Sequence, residues 1–178
     1  MKFRETDIPG VWLIEQERRV DERGYFARAW CEQEFRAHGL NPAVTQINTA
    51  VSSRAGTLRG MHFQDAPHAE VKVVRCVRGA VYDVAVDLRP ESPTFRLWYG
   101  VELTAANGLA LYLPEGCAHG FITLEDDTEL TYMASVPFAP KHARGVRHDD
   151  PAFGIHWPRA ADIVSEQDRN WPDFKRAS

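Results

Sequence analysis

The sequence predicts an all-β domain, a sandwich or barrel carrying few and short helices. Three observations carry this. Short apolar runs rich in β-branched residues recur at close spacing between residues 71 and 135. Eleven prolines and twelve glycines are spread along the chain and cut it into pieces too short for long helices. One run alternates with a period of two: Tyr82, Val84, Val86 and Leu88 against Val81, Asp83, Ala85 and Asp87. That pattern belongs to a strand with one face packed and the other carrying polar groups.

Taken in order, residues 32–38 predict two helical turns, stopped by Gly39. Residues 71–77 and 81–88 predict two strands joined by Arg78-Gly79-Ala80. Strands over 97–103 and 109–113 follow, joined by the turn-prone Ala106-Asn107-Gly108. Residues 121–124 and 129–135 continue the pattern around Asp126-Asp127. Ser165 predicts the N-cap of a short helix opening over residues 165–168, and the tail from Lys175 is expected to fray. Many short strands with regular turn signals fit a sandwich or barrel.

A chain of 178 residues fits one domain over 1–178, with length enough for a substantial core. Its 44% hydrophobic and 26% charged residues are ordinary for a soluble globular protein. A net charge of −4 gives no general affinity for nucleic acid. No apolar stretch reaches the roughly 18 residues of a membrane span. The start, Met1-Lys2-Phe3-Arg4-Glu5, runs into charge instead of the apolar core of a signal peptide. Cys31, Cys76 and Cys117 form no Cys-x-x-Cys pair and read as thiols of a reducing cytoplasm. Cys117 lies close enough to His119 in sequence to border a site, although a packed small side chain fits it better.

The richest motif runs from Gly108 through Pro114 and Gly116 to His119. It resembles the second half-motif of the cupin jelly roll, with Thr123 where that motif usually closes on Asn. A cupin normally uses this His as a metal ligand beside an upstream His-x-His and Glu. Here Met61-His62-Phe63-Gln64 lacks the second His, so no metal triad is expected. Lys72, Val74 and Cys76 share one strand face. If that face points inward, Lys72 is an ammonium in an apolar lumen, which is costly unless it meets an anion or an oxygen that becomes one.

Further segments carry a more specific resemblance. Residues 20–26 (Val-Asp-Glu-Arg-Gly-Tyr-Phe), 59–64 (Arg-Gly-Met-His-Phe-Gln), Lys72, 81–89, Ser92-Pro93-Thr94, 114–121, Asp150-Pro151 and 154–158 (Gly-Ile-His-Trp-Pro) together resemble the dTDP-4-dehydrorhamnose 3,5-epimerase family. The likeness runs from about residue 5 to about residue 172. It implies a cupin-type double-stranded β-helix with a few short peripheral helices, no metal and no cofactor. It also implies a homodimer acting on a nucleotide-linked 4-keto-6-deoxyhexose. By resemblance His62 is the base, Asp168 holds and polarises it, Tyr132 returns a proton on the opposite ring face, and Lys72 stabilises the enolate oxygen. Arg23, Phe26, Gln46, Asn48, Arg59 and His119 match positions that contact nucleotide, diphosphate or sugar, and Phe138 the position that stacks on the base. In that family the N-terminal strand carrying Arg23 and Phe26 reaches into the partner subunit.

These roles fit elementary chemistry. A proton next to a ketone is too weakly acidic for an unaided imidazole, and a fixed positive charge at the developing enolate makes its removal feasible. Inversion requires protons to leave one face and arrive at the other, so a base and an acid must flank the ring. Each residue also has a structural alternative. The weaker alternatives are His62 as a hydrogen-bonded core histidine, Lys72 as a solvated strand lysine, Tyr132 as a wall aromatic and His119 as a packing residue. Asp168 has the strongest alternative, because an acid three residues after a Ser N-cap is expected for capping alone. The remaining histidines, His38, His68, His142, His148 and His156, read as surface residues.

Three positions depart from the family: Phe138 in place of a tyrosine, and Arg28 and Ala143 in place of glutamates. All concern the binding periphery, so altered nucleotide or sugar preference is expected before altered proton chemistry. Two competing readings are a metal-dependent cupin oxygenase, opposed by the missing His-x-His, and a non-catalytic sugar-nucleotide binder, opposed by the joint presence of His62, Lys72, Tyr132 and Asp168.

Overall fold

The structure, a computed structural model, describes residues 1–175; the frayed tail expected beyond Lys175 lies outside the described residues. Fourteen strands and two short helices are described. They are β1 (Lys2–Glu5), β2 (Trp12–Glu15), β3 (Arg19–Asp21), β4 (Gly24–Phe26), α1 (Glu32–Ala37), β5 (Gln46–Ser52), β6 (Thr57–Gln64) and β7 (Lys72–Arg78). Then follow β8 (Ala80–Asp87), β9 (Trp98–Thr104), β10 (Leu109–Leu113), β11 (Cys117–Thr123), β12 (Thr128–Ala134), β13 (Ala143–Gly145), β14 (Ile163–Val164) and α2 (Glu166–Arg169). The strands predicted between residues 71 and 135 all form, within a residue or two at most ends. One exception is β11, which begins at Cys117, so His119 lies within a strand that follows directly on the turn at residues 114–116.

One sheet runs β1-β2-β10-β7-β12-β5 and the other β13-β6-β11-β8-β9, with β14 beside β6. Successive strands β7 and β8 fall in different sheets, and Gly79 makes the corner at φ +75°. A side chain there would run into Thr128, so only glycine turns it. The two sheets face each other as a jelly roll, with β3 and β4 standing apart as a hairpin.

Three apolar layers hold the sheets. Between them Leu13, Val74, Cys76, Val81, Ala85, Leu111, Phe121 and Leu130 form the inner core. Outside the first sheet, Val73, Ala110 and Tyr112 pack under Phe35 of α1 and Leu40. Outside the second, Met61, Val84, Val86 and Ala118 are covered by Val146, Phe153 and Trp157 of the C-terminal segment. Both faces of β8 are therefore buried, which corrects the expectation of one packed and one polar face. Its polar residues point inward with Val81 and Ala85: Asp83 meets His119, and Asp87 is enclosed by Arg89, Ser92 and Thr94. Buried carboxylates persist there because each is hydrogen-bonded.

Candidate active site

The open end of the barrel holds a cleft with two lobes, one of about 630 Å³ and one of about 420 Å³. His62, Lys72, Tyr132 and Gln167 line both, so they form the waist between the lobes. Arg59, His119 and Asp168 lie on the larger lobe, and Gln46, Asn48 and Phe138 on the smaller.

The first sheet supplies Lys72 and Tyr132. In the β7–β12 register Tyr132 pairs with Val74 and Ala134 with Lys72. Alternation then sends Lys72, Val74, Tyr132 and Leu130 to one face, the interior. The expected inward face of Lys72, Val74 and Cys76 is thus formed. On the neighbouring strand Asn48 pairs with Tyr132 and Gln46 with Ala134, which extends the same face across β5.

The second sheet supplies Arg59, His62 and His119. Residues 59 and 62 have opposite parity, and a regular strand would send them to opposite faces. Pairing of β11 with β6 shifts register between His119, opposite His62, and Phe121, opposite Arg59. The extra residue lets both side chains face the cleft. Gly60 stands in the shift at φ +124°, and a Cβ there would lie 2.5 Å from the Cα of Gly120. The bulge therefore requires glycine.

Asp168 arrives from the C-terminal segment. Strand β14 runs parallel to β6, pairing Ile163 with Thr57 and Val164 with Leu58, and sets α2 beneath His62. The Ser165 hydroxyl accepts from the Asp168 backbone N–H at 3.1 Å and so caps the helix. The Asp168 carboxylate turns instead toward β6. Its Oδ1 accepts from His62 Nε2 at 2.6 Å and its Oδ2 from the Gly60 backbone N–H at 3.2 Å. Capping thus comes from the serine, and the aspartate is committed to the histidine. Since a carboxylate only accepts, Nε2 carries the proton and Nδ1 keeps the free lone pair. Burial pushes the Asp168 carboxyl upward, but the bond from His62, its charge and the Gly60 and Ser165 contacts together hold it below the usual range.

His119 is backed in the same way, by Asp83 Oδ1 at 2.8 Å, both side chains being almost wholly buried. Arg59 reaches across to the first sheet, donating to Val51 O and Ser52 Oγ. The phenol of Tyr132 is pushed up in pKa by burial first and by the Glu70 carboxylate second, so it stays protonated. The Lys72 ammonium lies 2.9 Å from Glu70 Oε1 and donates to His62 O at 3.4 Å. It is a largely buried, paired lysine, which removes the solvated-strand reading.

Two predicted contact residues stay out of the cleft. Arg23 pairs with Asp21 on the exposed β3–β4 hairpin, where Phe26 is 73% and Val20 77% exposed. Arg28 pairs with Glu34 beside a separate surface hollow, so its charge is neutralised away from the cleft. Phe138 stands exposed at the rim of the smaller lobe, its N–H donating to Gln46 Oε1, and Ala143 lines the same lobe. Cys117 belongs to the core, its thiol pushed up to about 12 by burial.

Among the described residues no group of three or more His, Cys, Asp or Glu is placed to hold a metal ion. Of the other histidines, His38 and His156 are exposed as expected. His142 bonds Asp65, and His148 is half-buried, so neither is a free surface residue. Sequence reasoning missed Glu70, Gln167 and Asp83 as site residues. The signal for Glu70 was its spacing of two from Lys72, and for Asp83 an acid on a strand otherwise apolar.

The sequence model of the dTDP-4-dehydrorhamnose 3,5-epimerase family matches residues 5–176. The chain belongs to this epimerase family. A dTDP-4-dehydrorhamnose 3,5-epimerase of Sinorhizobium fredii is 43% identical over 98% of this chain and 90% of that protein. The structure of the Bacillus anthracis epimerase, with TDP and PPi bound, superposes with a TM-score of 0.94 at 38% identity, covering 97% of this chain and 99% of that one. A Streptomyces niveus relative named dTDP-4-dehydrorhamnose 3-epimerase is 41% identical over 96% of this chain and 82% of its own length. The epimerase resemblance read from the sequence segments is thereby established, and with it the isomerase class and the cupin-type jelly roll. Among the described residues no helix is long and apolar enough to cross a membrane.

Proposed function

We propose that this epimerase inverts C3 and C5 of dTDP-4-dehydro-6-deoxy-D-glucose to give dTDP-4-dehydro-L-rhamnose, through an enolate. The observation that carries the reading is the waist of the cleft. His62 projects from one sheet, Lys72 and Tyr132 from the other, and all three line both lobes.

Both C3 and C5 adjoin the C4 ketone, so one set of groups serves both. His62 Nδ1 takes the proton from the ring carbon, and the C–H electrons move into the ketone to leave an enolate oxygen. Lys72 meets that oxygen with a fixed positive charge in a partly dry site, supplying the stabilisation without a metal. Asp168 keeps His62 in the tautomer that presents Nδ1 and stabilises the imidazolium that forms. Tyr132 then delivers its phenolic proton from the opposite sheet. Solvent restores the tyrosine and discharges the histidine, so no net proton is consumed.

Arg59 and His119 suit the diphosphate and sugar, and Gln46, Asn48 and Phe138 the nucleotide end, where phenylalanine still stacks on a base. Arg23 and Phe26 act in a second copy of the chain, the exposed hairpin completing the partner's cleft in a homodimer. The three free thiols, Cys31, Cys76 and Cys117, accord with a cytoplasmic enzyme.

Inversion at C3 alone is the second reading, favoured by the relative named as a 3-epimerase. Incubation with dTDP-4-keto-6-deoxyglucose in D2O, followed by NMR, separates them. Deuterium at both carbons identifies the 3,5-epimerase and deuterium at C3 alone the mono-epimerase. Binding without exchange at either carbon would leave a sugar-nucleotide binder and refute both.

A further inference from the structure

We propose that Glu70 is a positioning residue of this reaction: its carboxylate holds the Lys72 ammonium at the waist of the cleft, aimed at the ketone oxygen. The inference rests on the role assigned to Lys72 above and adds a residue to it.

Glu70 Oε1 lies 2.9 Å from Lys72 Nζ, and the two side chains are 11% and 12% exposed. Among the described residues the other contact of the ammonium is the His62 carbonyl at 3.4 Å, a long hydrogen bond. A lysine stem has many rotamers and a point charge at its end, so it points reliably only when a partner fixes it. Glu70 is the carboxylate free to do so. On the elements around it, Asp168 from α2 is committed to His62, Asp83 from β8 to His119, and Asp65 to Arg144 from β13 and to His142. Arg59 is engaged by Ser52 and Val51 across the larger lobe. The remaining ionisable neighbour is Tyr132 from β12, which shares the smaller lobe with Glu70 and Lys72. There burial first and the Glu70 carboxylate second keep the phenol protonated, so loss of Glu70 still leaves Tyr132 in its proton-donating form.

The test is steady-state kinetics and C3 hydrogen washout for Glu70→Ala and Glu70→Gln, each made alone and with Lys72→Met. dTDP affinity and thermal stability are measured beside them. Glu70→Ala is expected to lower kcat roughly tenfold or more, because misplacing a catalytic charge costs rate before it costs binding, with KM and dTDP affinity within about twofold. Glu70→Gln is expected to recover most of that loss, since its amide oxygen accepts the same N–H. In the Lys72→Met background Glu70→Ala is expected to add no further loss. A Glu70→Ala enzyme with unchanged kcat, or one slowed as much without Lys72 as with it, overturns the inference. So does a loss confined to dTDP affinity or stability. A fast Lys72→Met enzyme overturns the role of Lys72 and this inference with it. A slow Lys72→Met beside an unimpaired Glu70→Ala overturns this inference alone.

Discussion

His62 Nε2 donates to Asp168 Oδ1 across 2.6 Å, and this contact ties the second sheet to the last helix. It joins residues 106 apart in sequence, and the same aspartate also accepts from the Gly60 backbone. The strand that bears the base and the acid that orients it are thus one unit. Asp168→Asn keeps the shape but removes the charge that stabilises the imidazolium and fixes the tautomer. It is expected to lower kcat roughly 10²–10⁴-fold with little change in thermal stability. Kinetics beside a melting curve check this; a variant within a few-fold of wild type denies Asp168 its part.

Gly60 makes the geometry possible. Its φ of +124° and the closeness of Gly120 leave no room for a side chain. Gly60→Ala is expected to cost about 1–3 kcal/mol in strain and to remove activity by turning Arg59 or His62 out of the cleft. Chemical denaturation and a turnover assay read both effects, and a stable, fully active alanine variant would contradict the bulge argument.

Asp87 is a structural carboxylate, fully buried in a shell of Arg89, Ser92 and Thr94. Burial alone pushes its pKa up; the three partners outweigh that and hold it at about 2. Because the folded value is depressed, its stabilisation is complete above the ordinary aspartate range near pH 4 and is lost as pH falls through about 2. The contribution is about 2 kcal/mol. Asp87→Asn is expected to remove it and to flatten that part of the stability curve, as urea midpoints between pH 2 and 6 will show.

The hairpin prediction concerns the partner. If Arg23 and Phe26 complete the cleft of a second copy, an Arg23→Ala/Phe26→Ala chain and a His62→Asn chain repair each other in a mixed dimer. One of its two clefts then has every group. Equal mixing makes half the dimers mixed, so about a quarter of wild-type activity is expected from two weak variants. Co-expression followed by assay tests this, and no gain above the separate variants places the hairpin with its own cleft.

The central strands were legible because alternation and turn residues are local rules, whereas the roles of the cleft residues were read from the resemblance of their segments to the epimerase family. Alternation placed Lys72 on one face with Val74, and the second half-motif marked His119. What escaped was set by tertiary pairing. Strand β6 carries a bulge that breaks its period, so nothing in its sequence rhythm announces that Arg59 and His62 share a face. Ser165 and Asp168 together satisfy the pattern of a capping pair, and only the parallel docking of β14 on β6 shows the carboxylate turned toward His62. The inward acids of β8 looked solvent-facing because their partners, His119 and Arg89, come from elsewhere in the fold or around a turn.

The two-sided proton transfer is tested most directly by following C3 exchange and inversion together in D2O for wild type, His62→Asn and Tyr132→Phe. Wild type should exchange and invert, His62→Asn should do neither, and Tyr132→Phe should exchange with retained configuration, because His62 alone takes and returns the proton. Exchange in His62→Asn, or its disappearance along with inversion in Tyr132→Phe, would contradict the assignment of base and acid to opposite sheets.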